Sequence, residues 1–400
     1  MRILISGASI AGPVLAYWLS RYGFAVTVVE KAPALRKTGG HAVDLFRPAM
    51  DISEKMGVLP QIEAKITGID QMVVHRRGRL VRIDLTKIFQ ATSDRHVEIM
   101  RDDLSEIYYD AAADDVEYLF GDSIAAIADD GTVTFESGTE RRFDLVVGAD
   151  GLHSNVRRLV FGQVEEHFVG AYLTVFSVEG GLPPGEFHTF LQPGSMAGAY
   201  RTRYSGDTRA GMFFRTEQPI DYHYRDIARQ KEIVRERFGG LAPEVDGWLA
   251  TLDHAQTFYF DAISQIRMDT WSRGRVTLVG DAGYCPGPAV GGSTSLAVLG
   301  AYVLAGELAA AGGDHTVAFP AYEREMIDLV RRSRAFALGA AKTIIPGSKF
   351  AAWGLVAGAR LAGALPAGVS KALAKLNSKG VRMHDSMVVR DYDAIVRARA

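Results

Sequence analysis

Gly7-Ala8-Ser9-Ile10-Ala11-Gly12 follows the apolar run Arg2-Ile3-Leu4-Ile5-Ser6 and opens a stretch in which Leu15, Ala16, Leu19 and Tyr22 recur at helical spacing. A short unbroken apolar run predicts a parallel strand buried on both faces. Pro13 stands in the first turn of the following helix, where proline is tolerated, and Gly23 stops that helix. Ala25-Val26-Thr27-Val28-Val29 predicts a second strand, ending at Glu30 with Lys31 beyond it. In such a unit Gly7 permits the tight turn and Gly12 lets the helix pack close to the strand. The N–H groups around Ala11 at the helix start can then receive a pyrophosphate. Glu30 suits a ribose 2′-hydroxyl and opposes a 2′-phosphate, so NAD or FAD is expected at this site and NADP is not. Ser9 replaces the usual middle glycine, and its Cβ limits how closely the backbone approaches a phosphate.

The bulk properties narrow the class. Four hundred residues with 48% hydrophobic content support a large core, expected as two domains. Lys plus Arg (45) nearly balances Asp plus Glu (47), which leaves no electrostatic footprint for nucleic acid. One cysteine, Cys285, excludes an internal disulfide framework and suits a reducing compartment. The first strand begins at Arg2, so no signal peptide is expected and a cytoplasmic location is. The ten histidines lack ligand spacing, and no metal site is expected. Residues 350–369 hold one charge, Arg360, but are weakly hydrophobic and interrupted by Pro366. A helix packed across the domain junction is expected there, with interfacial attachment as the alternative and no stable membrane insertion.

Two further strand–turn–helix units lie downstream. Phe143-Asp144-Leu145-Val146-Val147-Gly148-Ala149 ends at Asp150-Gly151, and Arg157 sits in the helix that follows. Arg275-Val276-Thr277-Leu278-Val279-Gly280 ends in Asp281, then a loop through Pro288 and Gly291-Gly292 leads to a long apolar helix from Ser293-Thr294 to Ala311. Acids at the carboxyl ends of such strands lie where open α/β sheets bind ligands. The start of the last helix presents unpaired N–H groups and a positive dipole end, suited to a flavin pyrimidine carbonyl, and Asp281 is placed for a polyol hydroxyl. Upstream, Arg101-Asp102-Asp103-Leu104 opens another helix, read from its residues alone as a charged, solvated start.

Together the three motifs resemble those of class A flavin-dependent monooxygenases, the FAD aromatic hydroxylases related to para-hydroxybenzoate hydroxylase, over the chain to about Arg334. The resemblance implies that Gly7–Gly12 with Glu30 is the fingerprint for the ADP half of FAD. It also implies that Arg101 reaches the diphosphate and ribityl region. Asp150-Gly151 with Arg157 would serve both FAD and the nicotinamide donor, and Gly280-Asp281 would hold the ribityl chain. Gly39-Gly40-His41-Ala42-Val43-Asp44-Leu45 is similar to the tetracycline-inactivating branch, which makes Asp44 the expected polar group beside the flavin ring. Ser293 and Ser295 depart from the Gly and Asn common in relatives.

The implied fold is a Rossmann-type α/β FAD domain (1–70, 101–165 and 271–334), a β-sheet substrate domain (71–100 and 166–270) and a carboxyl-terminal helical segment (335–400). The implied reaction uses non-covalent FAD, transient NAD(P)H and O₂ to oxygenate an aromatic or polycyclic molecule through a C4a-hydroperoxyflavin. The rival readings are a reductase of the same fold and a flavin-bearing binding protein. Aromatic residues at strand spacing between Ala171 and Thr216 predict an apolar wall, with Gln192, Arg201, Arg203 and Arg215 as possible anchors or plain surface residues. Tyr284 is either a ring-stacking residue or core, and Arg334 is expected outside the site.

Overall fold

The computed structural model describes residues 1–35, 40–76, 78–86, 95–288, 292–364 and 389–397. The apolar runs that open the three motifs form the middle of one six-stranded sheet. Its order is Ser272–Arg273, Val276–Leu278, Leu145–Gly148, Arg2–Ser6, Ala25–Glu30, Glu117–Phe120, and all pairs but the first are parallel. Ile3, Leu4, Ile5, Leu145 and Val147 are buried in a core shared with helices and with Ile124, Val133 and Phe135 of a small three-stranded sheet. The Ala11–Arg21 helix packs on Ser293–Ala310, with the Trp18 and Tyr302 rings edge to face at 4.7 Å. Ser293–Ala310 is the helix among the described residues long and apolar enough to cross a membrane, yet 78% of it is buried. A helix apolar on every side belongs in a core when other elements surround it, as here.

The second sheet has seven strands in the order Phe258–Ile266, Glu166–Ser177, Thr208–Arg215, Ser195–Arg201, Glu186–Gln192, Gln71–Arg76, Arg79–Asp84. Alternation along these strands sends two sets of side chains to opposite faces. One face, with Tyr172, Phe176, Met212 and Phe214, packs under the helices Ile227–Phe238 and Pro243–Ala250. The other, with Leu173, Val175, Phe213 and Tyr259, packs against Ala337, Ile344 and Ile345 at the end of the long helix His315–Ile344.

Two expectations change. His96–Met100, placed by the sequence with the substrate sheet, pairs instead with Ala42–Phe46 in a separate two-stranded ribbon. A strand of mixed polarity has no face pattern that would assign it to one sheet over another. The apolar stretch from Phe350 forms a helix, Lys349–Ala364, but it lies on the outer strands of the second sheet rather than across a junction. Val356 is buried beside Val74 and Ile83, while Phe350 and Trp353 face outward. Residues 365–369 of that stretch lie outside the described residues.

Candidate functional site

A cleft of about 1070 Å³ runs from Glu30 past the turn at Gly7 to Asp281 and Thr294, and on to Tyr259. Its first wall is the turn after the first strand. Gly7 has φ +107°, and a Cβ there would lie 2.6 Å from the Ala149 carbonyl oxygen. A Cβ on Gly12 would lie 1.9 Å from the Gly7 carbonyl oxygen. Both positions therefore require glycine, for conformation and for close approach respectively. The Glu30 carboxylate accepts from the Ala8 N–H at 3.0 Å and the Ala32 N–H at 2.9 Å, which fixes it across the mouth of the cleft. Lys31 lies exposed on the rim, and Ala11 is buried at the start of the helix. The departure at Ser9 has a use: its hydroxyl accepts from Arg101 Nη2 at 3.0 Å, anchoring the guanidinium over the turn.

The second motif shapes the wall. Asp150 is half-buried, and its oxygens accept from Ser154 Oγ and from the N–H groups of Asn155 (2.9 Å) and Val156 (3.1 Å). It thus closes the start of the Asn155–Phe161 helix, while Gly151 takes φ +80° beside it. Arg157 is buried and donates to the carbonyls of Ala282 (2.8 Å) and Leu152 (2.6 Å), tying the second motif to the third. Asp150, Gly151 and Arg157 all line the cleft.

Asp281 sits at the far end. Burial pushes its carboxyl up, while a hydrogen bond from the Cys285 thiol and the positive charge of Arg101 pull it down. A thiol is a weak donor, so this carboxylate retains capacity for a stronger one. Gly292 takes the left-handed conformation ahead of Ser293–Ala310. Pro288, Ser293 and Thr294 line the cleft with Asp281, and Gly291 lies outside the described residues. Ser295 has a separate role, donating toward the Asp44 carbonyl (3.4 Å) and accepting from the Phe46 N–H (3.0 Å).

Asp44 does not take the expected place. Along Ala42–Phe46 the buried residues are Val43 and Leu45, and Val43 lines the cleft. Strand alternation turns Asp44 the other way, half exposed, with its carboxylate 2.7 Å from His96 Nε2. Tyr284 is core, fully buried against Trp271 and sharing a hydroxyl contact with Tyr322 at 3.0 Å. Arg201 holds the carbonyls of Gly206 and Leu182, and Arg203 holds Gly68 and Asp70. Arg334 lies outside the cleft lining, but it is half-buried and donates to the Ile266 carbonyl.

Sequence reasoning missed several cleft residues. His41 is held to about 4 by burial, then by the nearby Arg101 charge, and is neutral at pH 7. Its ring lies 5.8 Å from that of Tyr259. His153 places Nε2 at 3.0 Å from Asp261 and Nδ1 at 3.3 Å from Glu166, and these two carboxylates push it up to about 10. His153 follows the second motif by two residues, whereas its partners belong to the second sheet. No spacing rule links positions 153, 166 and 261.

These features fit a long dinucleotide. The cleft is large enough, an acid stands at its mouth, the turn admits no Cβ, and a half-buried carboxylate with a weak partner lies at the other end. The FAD binding domain family matches residues 1–325 of the chain. An uncharacterised Mycobacterium tuberculosis protein is 45% identical over 354 residues, covering 83% of this chain and 91% of its own. A flavin-dependent monooxygenase of Legionella longbeachae serogroup 1 is 36% identical over 352 residues, covering 86% and 90%. Among solved structures, tetracycline destructase Tet(55) superposes with a TM-score of 0.80 at 32% identity and covers 98% of both chains. On these relationships the chain belongs to the FAD binding domain family, and it is a class A FAD-dependent monooxygenase.

Proposed function

We propose that this enzyme uses NAD(P)H and O₂ to oxygenate a planar aromatic or polycyclic molecule lying between the cofactor and the seven-stranded sheet. FAD supplies the oxygen activation when bound. The chain's own residues hold the cofactor, exclude water and orient the substrate. Glu30, Ser9 with Arg101, Asp281 and the Ser293-Thr294 helix start are the residues assigned to hold FAD. Asp150, Gly151 and Arg157 form the wall beside it, where the transient donor is expected. Asp44 has no assigned part.

One row across the second sheet carries the substrate reading. Thr189, Gly198, Gly211, Val175 and Tyr259 stand opposite one another on successive strands, so they share a face, and Tyr259 lines the cleft. A Cβ on Gly211 would meet open space, although the residue is buried. Among the described residues, Thr189 Oγ1 and Arg209 Nε are buried without a hydrogen-bond partner, and both lie on this face. A small-residue strip flanked by unpaired donors fits a flat ring system that bears oxygens. The likeness to a tetracycline destructase supports a multi-ring substrate in particular.

The test is NAD(P)H oxidation and ¹⁸O₂ incorporation with polycyclic phenols, quinones and tetracyclines set against benzoates. Stimulation and labelled product with a polycycle are expected. Tight coupling with para-hydroxybenzoate and silence with every polycycle would remove the substrate reading.

A further inference from the structure

We infer that the Lys349–Ala364 helix docks this enzyme on an anionic membrane surface. The helix is attached to the protein by a narrow contact, with Val356 buried against Val74 and Ile83. Phe350 is 88% exposed, Trp353 56% and Leu355 37%, so two large aromatic groups and a leucine stand in water within six residues. Isolated exposed hydrophobic residues are ordinary, but a cluster on one short helix is not. Lys349 and Arg360, both exposed, flank the cluster along the chain. At about 100° per residue they fall together on one edge of the exposed arc, between Trp353 and the buried Val356.

Charge identifies the occupant. From Leu329 to His384 the sequence has ten Lys or Arg and no Asp or Glu, whereas the rest of the chain has 35 Lys or Arg against 47 Asp or Glu. An acid-free basic stretch in an otherwise acidic protein repels a second copy of the same stretch and attracts a negative surface. Aromatic and leucine side chains entering the headgroup region, with lysine and arginine beside them reaching phosphates, are the chemistry of an interfacial helix. A spanning segment is a different structure, and the surface placement of this helix, its side on the sheet, does not describe one.

The four tryptophans make the test direct, because Trp18, Trp248 and Trp271 are buried and Trp353 reports on the helix. The full-length FAD-loaded enzyme is mixed with vesicles of phosphatidylcholine alone or with about one-third phosphatidylglycerol. Sedimentation with the anionic vesicles only, a blue shift of Trp353 emission and release by salt are expected. Phe350→Ser with Trp353→Ser should lower partitioning about tenfold or more. FAD content and vesicle-free NAD(P)H oxidation should be unchanged. Lys349→Glu with Arg360→Glu provides an independent variant if the first misfolds, and it should abolish the preference for anionic vesicles. Failure to sediment with either vesicle would overturn the inference. Equal sedimentation with neutral vesicles would also overturn it. So would Trp353 already shielded from acrylamide without lipid, or a dimer that the Phe350/Trp353 variant dissolves, since each puts protein on this face instead.

Discussion

Asp281 is a half-buried carboxylate whose partner within the protein is a thiol, and desolvation outweighs the nearby arginine in setting its affinity for protons. Ionised, it costs the cofactor-free protein stability, because a partly desolvated charge is poorly compensated there. The expected outcome for Asp281→Ala is therefore split. FAD binding weakens about tenfold or more, the worth of a hydrogen bond to a charged group, while the cofactor-free variant melts no lower than the cofactor-free parent. Arg324→Ala, on an exposed position, should change neither. Equal FAD occupancy in both variants would undo the assignment of Asp281. His153 differs in that its charged form is the one the fold stabilises. Its folded pKa is raised to about 10 from an ordinary 6.5, so its stabilisation is complete below 6.5 and disappears as pH rises through 10. His153 is 38% exposed, and solvent screening leaves a contribution of about 1 kcal/mol. Urea denaturation of the parent and His153→Gln should show a gap that closes between pH 6.5 and 10. A gap independent of pH would remove the ion-pair account.

Gly12 and Gly211 separate two uses of glycine within regular elements. Gly12 lets a helix lie against a strand, and an added methyl would collide with the backbone of Gly7. Gly12→Ala is expected to cost about 1–3 kcal/mol by overpacking and to yield protein without bound flavin, read from absorbance and thermal melting. Gly211→Val should behave differently, because the new side chain enters open space on the sheet face beside Val175. Stability and flavin content should hold while kcat/KM for a polycyclic substrate falls about tenfold or more, as steric exclusion from a filled pocket predicts. Unchanged kinetics would move the substrate away from this face. The strand Ala42–Phe46 shows how an element overrides a residue-level resemblance. Asp44 stands in a stretch similar to a flavin-facing one, yet the alternation that buries Val43 and Leu45 turns Asp44 toward His96.

Across the whole molecule the cleft is an interdomain product, and its occupancy should dominate stability. A ligand that binds only the folded state adds about 2.7 kcal/mol at a hundredfold excess over its Kd. Removing FAD should accordingly lower the melting temperature, with recovery on adding it back. The released flavin should be unmodified, because Cys285 is buried and its thiol is pushed well above the ordinary range, first by burial and then by Asp281. Flavin that stays with the denatured chain would contradict this.

The dinucleotide unit was legible in the sequence because its constraints are local. A turn without room for Cβ, a proline in the first helical turn and an acid ending the second strand must stand at set spacings. The order of the three motifs likewise determined that one sheet would present Glu30, Asp150 and Asp281 at the same carboxyl-terminal edge of its parallel strands. Only the tertiary structure decided which side chains face the cleft and which are occupied elsewhere. Asp150 closes a helix, Ser9 holds Arg101, His153 meets acids from another sheet, and Phe350 and Trp353 remain uncovered. Those outcomes depend on strand alternation and on contacts between segments tens to hundreds of residues apart, and sequence spacing encodes neither.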